Sequence, residues 1–493
     1  MHLRLLHIIF FLALTHIAGW AITFDEMAAT MSPLSLPIIN IESTADSTSH
    51  EYFVEGRITI VQYESDTITH NCLIRRRGRT ALFLPKKSYS IKLVDENGEK
   101  VDDNLLGLRT DNTWILDAMG IDKLRMRNRV LFDIWNEFSH TMWDTKFNNR
   151  NGTVGTMVEV FINNEYNGVY CLSDKVNRQL LNLRKAKVND NDSVTVKGLL
   201  YKGKRSGLSD NLLDYEEDRT DTLIWNTFEL QYPDEFPSQQ SWQPLIDLID
   251  FNGKSEDQYF KDHYNEWYYV DNLVDYWILI VAFGLDDMPY KNTFLSTPDI
   301  NFEHRYMITP WDLDACLGRD CTGKEVHTYS KLKRLNAYAP YNNLVIKNID
   351  GFKNLLARRW LQLVEDQLSP AHLESHINEF AQRYVESGAW NREFIRWQAT
   401  DIDNDISIPE DINEEIQYVM NWYRHNIDYI TKQIDKWRDD YVEEDVINSS
   451  TITSIYNYIL GFDTTYNEKL DINEDGIINV GDITSAYNFL LGE

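Results

Sequence analysis

The stretch from Phe283 to Asp320, FGLDDMPYKNTFLSTPDINFEHRYMITPWDLDACLGRD, limits the folds open to this chain more than any other. It begins where an apolar helix ends. DNLVDYWILIVAFG sets Leu273, Val274, Trp277, Ile278 and Val281 at helical spacings, and Gly284 is a stop signal. An acidic loop with Asp286 and Asp287 follows, and then two runs of β character, NTFLS and RYMIT, on either side of the turn-rich TPDIN. That pattern predicts a hairpin. The start of its first strand lies beside the end of its second, which brings Asn292 next to Asp312 and Asp314, with Asp287 in the loop that feeds them.

Oxygen ligands gathered at one end of a hairpin suit a hard cation such as magnesium, which takes one or two carboxylates together with substrate phosphates. Asp287 and Asn292 also stand at the D-x-x-x-x-N spacing of a kinase catalytic loop. In kinase-type phosphoryl transfer one aspartate meets the attacking hydroxyl, while an asparagine and a second aspartate hold the metal. In a chain rich in Asp and Asn the same spacing also arises by chance, and WDLD can simply end a strand.

LDDMPYKN and PWDLDACLGRD resemble the catalytic loop and the aspartate-rich metal motif of the CotH (spore coat protein H) kinase family. The resemblance implies an atypical two-lobed protein-kinase-like fold. It makes Asp287 the catalytic aspartate, Asn292 and Asp312 metal ligands, and Asp314 an auxiliary ligand. The family's loop often has Asn two positions before its Asp, where this chain has Leu285. RRRGRT followed by KKSYSIKL is similar to the family's N-terminal signature and implies nucleotide binding by Arg77, Lys87 and Lys92, with Lys87 favoured as the phosphate lysine. From the residues alone, the same basic strand pair reads as a solvated edge protected by charge. An amphipathic helix from about Lys123 to Phe138 offers Asp133 and Glu137 as acids to pair such a lysine, or simply as solvated charges. MVEVFINNEYNGVYCLSDKVN predicts a hairpin turning at Asn163-Asn164 and ending in the Asp174, Lys175 pair. Residues 186–264 read as a polar, irregular, substrate-facing insertion with a short helix at WQPLIDLID, and 340–438 as helices, with one apolar stripe from Ile412 to Trp437.

MHLRLLHIIFFLALTHIAGWA has the basic start, short apolar run and small-residue end of a secretory signal peptide over residues 1–21, and 22–32 read as a linker. The protein is therefore expected to be secreted, periplasmic or at the cell surface, with no transmembrane segment once the signal is removed. A net charge of −29 over 493 residues argues against nucleic acid and favours basic partners. Of the four cysteines, Cys316 and Cys321 are close enough in sequence to bridge, and Cys72 and Cys171 fall in predicted strands. Buried free thiols are the alternative for both pairs.

The C-terminal segment is a separate unit. Asp471, Asn473, Asp475, Asn479 and Asp482 supply oxygens at positions 1, 3, 5, 9 and 12 of a calcium loop, Ile477 supplies a carbonyl at 7, and Gly476 makes the turn. ITSIYNYILG (452–461) and ITSAYNFLLG (483–492) match at seven of ten positions, 31 residues apart, an internal repeat of a loop-helix unit. A doubled loop-helix with Asp at position 12 resembles a type I dockerin. The upstream loop (Asp440, Val442, Glu444, Asp445, Asn448, Thr451) lacks the Gly and the last Asp, so one calcium site is expected.

These readings combine into an α+β chain with a CotH-like kinase domain over 33–440 and a small α-helical, calcium-binding, dockerin-like module over 445–493. The expected activity is ATP-dependent phosphorylation of protein Ser or Thr side chains with Mg2+ or Mn2+, on a basic and Ser-rich substrate. The alternative is a weakly active or inactive kinase-fold protein that assembles at the cell surface through the dockerin-like module and its partner.

Overall fold

Alternating apolar residues in the N-terminal half close a barrel of seven strands: β1 (Ile38–Ser43), β2 (Val54–Val61), β3 (Ile68–Arg77), β4 (Ser88–Val94), β5 (Thr113–Asp117), β6 (Gly155–Ile162) and β7 (Glu165–Ser173). Neighbours run antiparallel in the order β1-β2-β3-β4-β5-β7-β6, and the parallel pairing of β6 with β1 shuts the ring. Inward residues are Ile39 and Ile41, Ile58 and Ile60, Ile91 and Leu93, Trp114 and Leu116, and Val158 and Val160. The two-residue period puts Ile115, Met157, Val169 and Cys171 on the opposite face, where they join the main helical core. The β6–β7 hairpin turns at Asn163 and Asn164, with φ of 51° and 67°, the left-handed pair that a two-residue hairpin loop requires.

The computed structural model describes residues 22–491 except 44–49, 191–192, 205–211, 216–219, 290, 328–334, 399–406, 440–448, 463–466, 468–469 and 474. The signal-like segment 1–21 and all of the upstream loop positions but Thr451 lie outside the described residues. Residues 22–32, expected as a linker, contain a helix, Phe24–Ala29, started by a Thr23 and Glu26 capping box. Its Phe24 and Met27 pack with Ile38, Phe161 and Tyr166 on the barrel, so this segment is part of the fold.

A short ribbon, β8 (Lys187–Val188) with β9 (Val194–Thr195), leads to a second sheet: β10 (Leu199–Gly203), β11 (Ile224–Trp225), β12 (Phe228–Tyr232), β13 (Thr293–Thr297) and β14 (Met307–Pro310). Its order, β11-β12-β10-β13-β14, places the predicted hairpin β13–β14 at one edge, backed by β10. Residues 186–264 are therefore not an irregular insertion. They supply three strands of this sheet and the helices Gln239–Lys254 and Asp257–Trp267. The strands are short, two to five residues, and β10 is buried at successive positions, so no two-residue alternation marks them.

The apolar helix runs from Val270 to Phe283 and is buried almost all round. Gly284 ends it in the left-handed conformation, φ 62°, and a Cβ there would stand 2.4 Å from Trp422 Cη2. Trp422 belongs to the long helix Ile412–Ile434, whose Asn426 also donates to the Val281 and Ala282 carbonyls. Cys72 lies in the barrel core and Cys171 in the main core, and all four cysteines are free. Neither proposed disulfide is formed, and burial pushes the Cys72 and Cys171 thiols up to about 12.

Residues from Arg438 onward form a second compact unit. Helices Ser449–Ile459 and Val480–Leu491 enclose a small core of Ile452, Ile455, Ile478, Ile483 and Ala486. Among the described residues, no helix is long and apolar enough to cross a membrane.

Candidate active site

The register of β13–β14 pairs Thr293 with Pro310, which brings Asn292 and the segment beginning at Trp311 to the same end of the hairpin. Asn292 is buried, and both Asn292 and Asp312 hold left-handed φ, 62° and 59°. Asn and Asp tolerate that region through their short polar side chains. Asn292 donates to Asp287 Oδ2 at 3.1 Å, and Lys291 pairs with the same oxygen. The Asp287 loop is fastened to the strand end by Asp286 N–H donating to the Ala315 carbonyl and Leu317 N–H to the Phe283 carbonyl.

A fourth carboxylate joins this group from the barrel. Asp117 ends β5, accepts from Asn128 Nδ2 at 3.0 Å, and the Asn128 Oδ1 in turn accepts from Leu313 N–H at 2.9 Å. Asn128 stands in the first turn of the helix Arg127–Phe138, so this one amide couples the barrel to the Asp312–Asp314 segment. Asp312 is exposed and Asp314 half-buried, and loss of neighbouring water is the main effect that raises their carboxyls. Asp117 adds to the rise at Asp312, and Asp312 and then Asp117 add to that at Asp314.

Positive charge faces these acids across Trp311. The Arg77 guanidinium stands 5.5 Å from the Trp311 ring centroid and Lys202 Nζ stands 5.4 Å from it, one from the barrel and one from β10. Burial, and next the Arg77 charge, bring the Lys202 amine down to about 8, and Asp312 opposes that shift. Burial and Arg77 also lower Lys175. Arg77 is thus in the recess, but the two other basic residues expected there have different partners. Lys87 donates to the Leu82 carbonyl at 2.7 Å and to that of Leu84. Lys92 lies exposed, its amine 4.6 Å from the Phe53 ring centroid. Lys86 is buried against Glu393, at 2.7 Å, on the helix Ala389–Trp397. Asp133 pairs with Arg129 and Glu137 with two histidines, so neither acid meets a phosphate lysine.

Among the described residues, no three of these carboxylates bring ligand atoms within 4.8 Å of one another. Oxygen donors of this kind are the ones a hard cation takes. The recess thus contains Asp117, Asp287, Asn292, Asp312 and Asp314 facing Arg77 and Lys202. A family model described as CotH kinase protein matches residues 74–430. The chain belongs to the CotH kinase family. Among curated proteins, none matches it. The matched segment starts at Ile74, just before Arg77, and ends within the 412–434 helix, so it contains every residue of the recess.

Sequence reading missed Asp117, Asn128, Lys202 and Lys291. Lys291 had a signal, four residues after Asp287 inside the loop motif itself. Asp117 had a weaker one, an acid closing an apolar strand. Nothing local marks Lys202, which matters only because β10 pairs with β13.

In the C-terminal unit the loop closes on itself. Asp471 accepts from the Asp475 and Gly476 N–H groups, Asp482 from those of Asn473 and Asn479, and Gly476 turns with φ 85°. Ile477 is exposed at position 7. Tyr456, Ile459, Tyr487, Phe489 and Leu490 of this unit's helices are exposed.

Proposed function

We propose that the large unit transfers the terminal phosphoryl group of ATP to a Ser or Thr hydroxyl of a protein outside the cytoplasm. The observation that carries this reading is the charge cluster itself, in which carboxylates from three separate segments act on one another and on Arg77 and Lys202 beside Trp311. Asp287 orients the acceptor hydroxyl, with Lys291 and Asn292 fixing its carboxylate. Asn292, Asp312 and Asp314 would hold magnesium or manganese, which when bound neutralises charge on the phosphates. Arg77 and Lys202 bind the phosphate oxygens, a role in which Lys202 replaces the expected Lys87 and Lys92. Asp117 sets the edge of the recess through Asn128. A two-lobed kinase-like division, barrel on one side and second sheet with helices on the other, is part of the same reading. The net charge of −29 favours a basic, Ser-rich acceptor.

The C-terminal unit supports a second component, a dockerin-like calcium module that docks a partner. Equivalent repeat positions are treated alike: Ile452 and Ile483, and Ile455 and Ala486, are buried, whereas Tyr456 and Tyr487, and Ile459 and Leu490, are exposed. Two matching apolar faces left open favour assembly, and they support the alternative of a weakly active or inactive kinase-fold protein that assembles through this module.

The deciding experiment incubates the protein with labelled ATP, magnesium or manganese, and a basic Ser-rich protein, beside an Asp287→Ala variant. Label transfer by the wild type alone supports the kinase. Nucleotide binding without transfer favours the assembly protein, and absence of both removes the nucleotide reading altogether.

A further inference from the structure

Away from the recess, Glu137 meets His372 and His376. The histidines stand four apart on the helix Pro370–Glu386, which puts them on one face, and Glu137 lies in the last turn of the 127–138 helix. His372 Nε2 is 2.6 Å from Glu137 Oε2, His376 Nε2 is 3.0 Å from Glu137 Oε1, and the two Nε2 atoms are 3.2 Å apart. Among the described residues this is the one group of three His, Cys, Asp or Glu whose ligand atoms lie within 4.8 Å of one another.

A carboxylate only accepts, so without a cation both Nε2 atoms carry protons, each donating to its own Glu137 oxygen. The same three groups, with both Nε2 lone pairs free, can instead converge on one cation. Zinc binds imidazole nitrogen and carboxylate oxygen at about 2.0–2.2 Å, and bonds of that length at tetrahedral angles set neighbouring ligand atoms roughly 3.3 Å apart. The Nε2 atoms, 3.2 Å apart, already have nearly that separation; Glu137 Oε1 is short of it by about 0.3 Å and Oε2 by about 0.7 Å, a shift that a turn of one partly exposed side chain provides. Side-chain exposures of 36% for Glu137, 30% for His372 and 19% for His376 leave a further position open to water.

We propose that Glu137, His372 and His376 form a His2Glu site for a divalent transition metal, zinc above all, that clamps the 127–138 helix to the 370–386 helix. Two imidazoles distinguish it from the all-oxygen recess and from the 471–482 loop, since imidazole suits zinc while carboxylate and carbonyl oxygens suit magnesium and calcium. The proposal does not depend on phosphoryl transfer.

The test uses the full chain, dialysed against zinc chloride or cobalt chloride with magnesium and calcium in large excess to fill the oxygen sites. A single zinc should remain bound, and cobalt should give the intense visible bands of a low-coordinate site with nitrogen ligands. His372→Ala and His376→Ala should each weaken zinc binding by more than the roughly 10- to 100-fold that loss of an outer-sphere partner costs. Glu137→Gln, nearly isosteric, should weaken it without disturbing the fold. Wild-type protein that retains no zinc and shows no such cobalt spectrum overturns the proposal whatever the variants do. Unchanged zinc affinity in a folded His372→Ala, His376→Ala double variant overturns it as well.

Discussion

Two acidic sites of this chain are put together in opposite ways. The recess takes Arg77 and Asp117 from the barrel, Lys202 from β10, Asp287 from the loop after the 270–283 helix, and Asn292, Asp312 and Asp314 from the ends of the hairpin that β10 supports. The 471–482 loop takes all its oxygens from twelve consecutive residues, and its carboxylates are held by the loop's own N–H groups. The recess therefore inherits its geometry from two large cores. The loop sits on a core of five buried side chains, too small to absorb much repulsion among Asp471, Asp475 and Asp482. A cation should act on chemistry in the first case and on folding in the second.

The largest effect should come from Asp287→Ala. Loss of the group that positions the hydroxyl should reduce phosphoryl transfer by about 10²- to 10⁴-fold, with nucleotide affinity little changed. Equal turnover by variant and wild type would take Asp287 out of the mechanism, and the recess would lose its claim to be a catalytic site.

Calcium removal should separate the two regions. In chelator, limited proteolysis should cut within residues 449–491 much faster while the body up to Trp437 stays resistant, and Asp475→Ala should behave like chelator even with calcium present. If the small unit resists cleavage equally with and without calcium, its two helices hold themselves together and the contrast drawn above fails.

Smaller and more selective effects are expected on the basic side of the recess. Lys202→Ala should weaken metal-nucleotide binding by about tenfold, the scale of one charged hydrogen bond. Because the Lys202 amine is depressed to about 8, the wild type should lose affinity as pH rises through 8 and the lysine is neutralised. Lys202→Arg, charged throughout, should flatten that decline. A wild-type titration with no inflection near pH 8 would mean that Lys202 does not touch the phosphates. Lys87→Ala, by contrast, should change affinity by less than about twofold, because its amine already serves the Leu82 and Leu84 carbonyls. A large loss there would return the phosphate site to the KKS turn.

What the sequence determined by itself is what depends on short range. Period and turn chemistry set the 270–283 helix and its Gly284 stop, the β13–β14 hairpin, the Asn163-Asn164 turn and the repeated helices of the small unit. The juxtaposition of Asn292 with the Asp312 segment was legible because hairpin register is local. Tertiary structure decided the rest. Closure of the barrel rests on a parallel pairing of β1 with β6, more than 100 residues apart. Of the two adjacent lysines, burial against Glu393 claims Lys86 and two carbonyls claim Lys87, and no property of the KKS run distinguishes those fates from phosphate binding. Lys202 became the basic residue of the recess because β10 pairs with β13, and Asp117 became its fourth acid because Asn128 reaches both Asp117 and Leu313. Glu137 met two histidines more than 230 positions away through the packing of two helices. A side chain's partner is a matter of distance in the fold, and sequence separation carries that distance only for residues within the same element or turn.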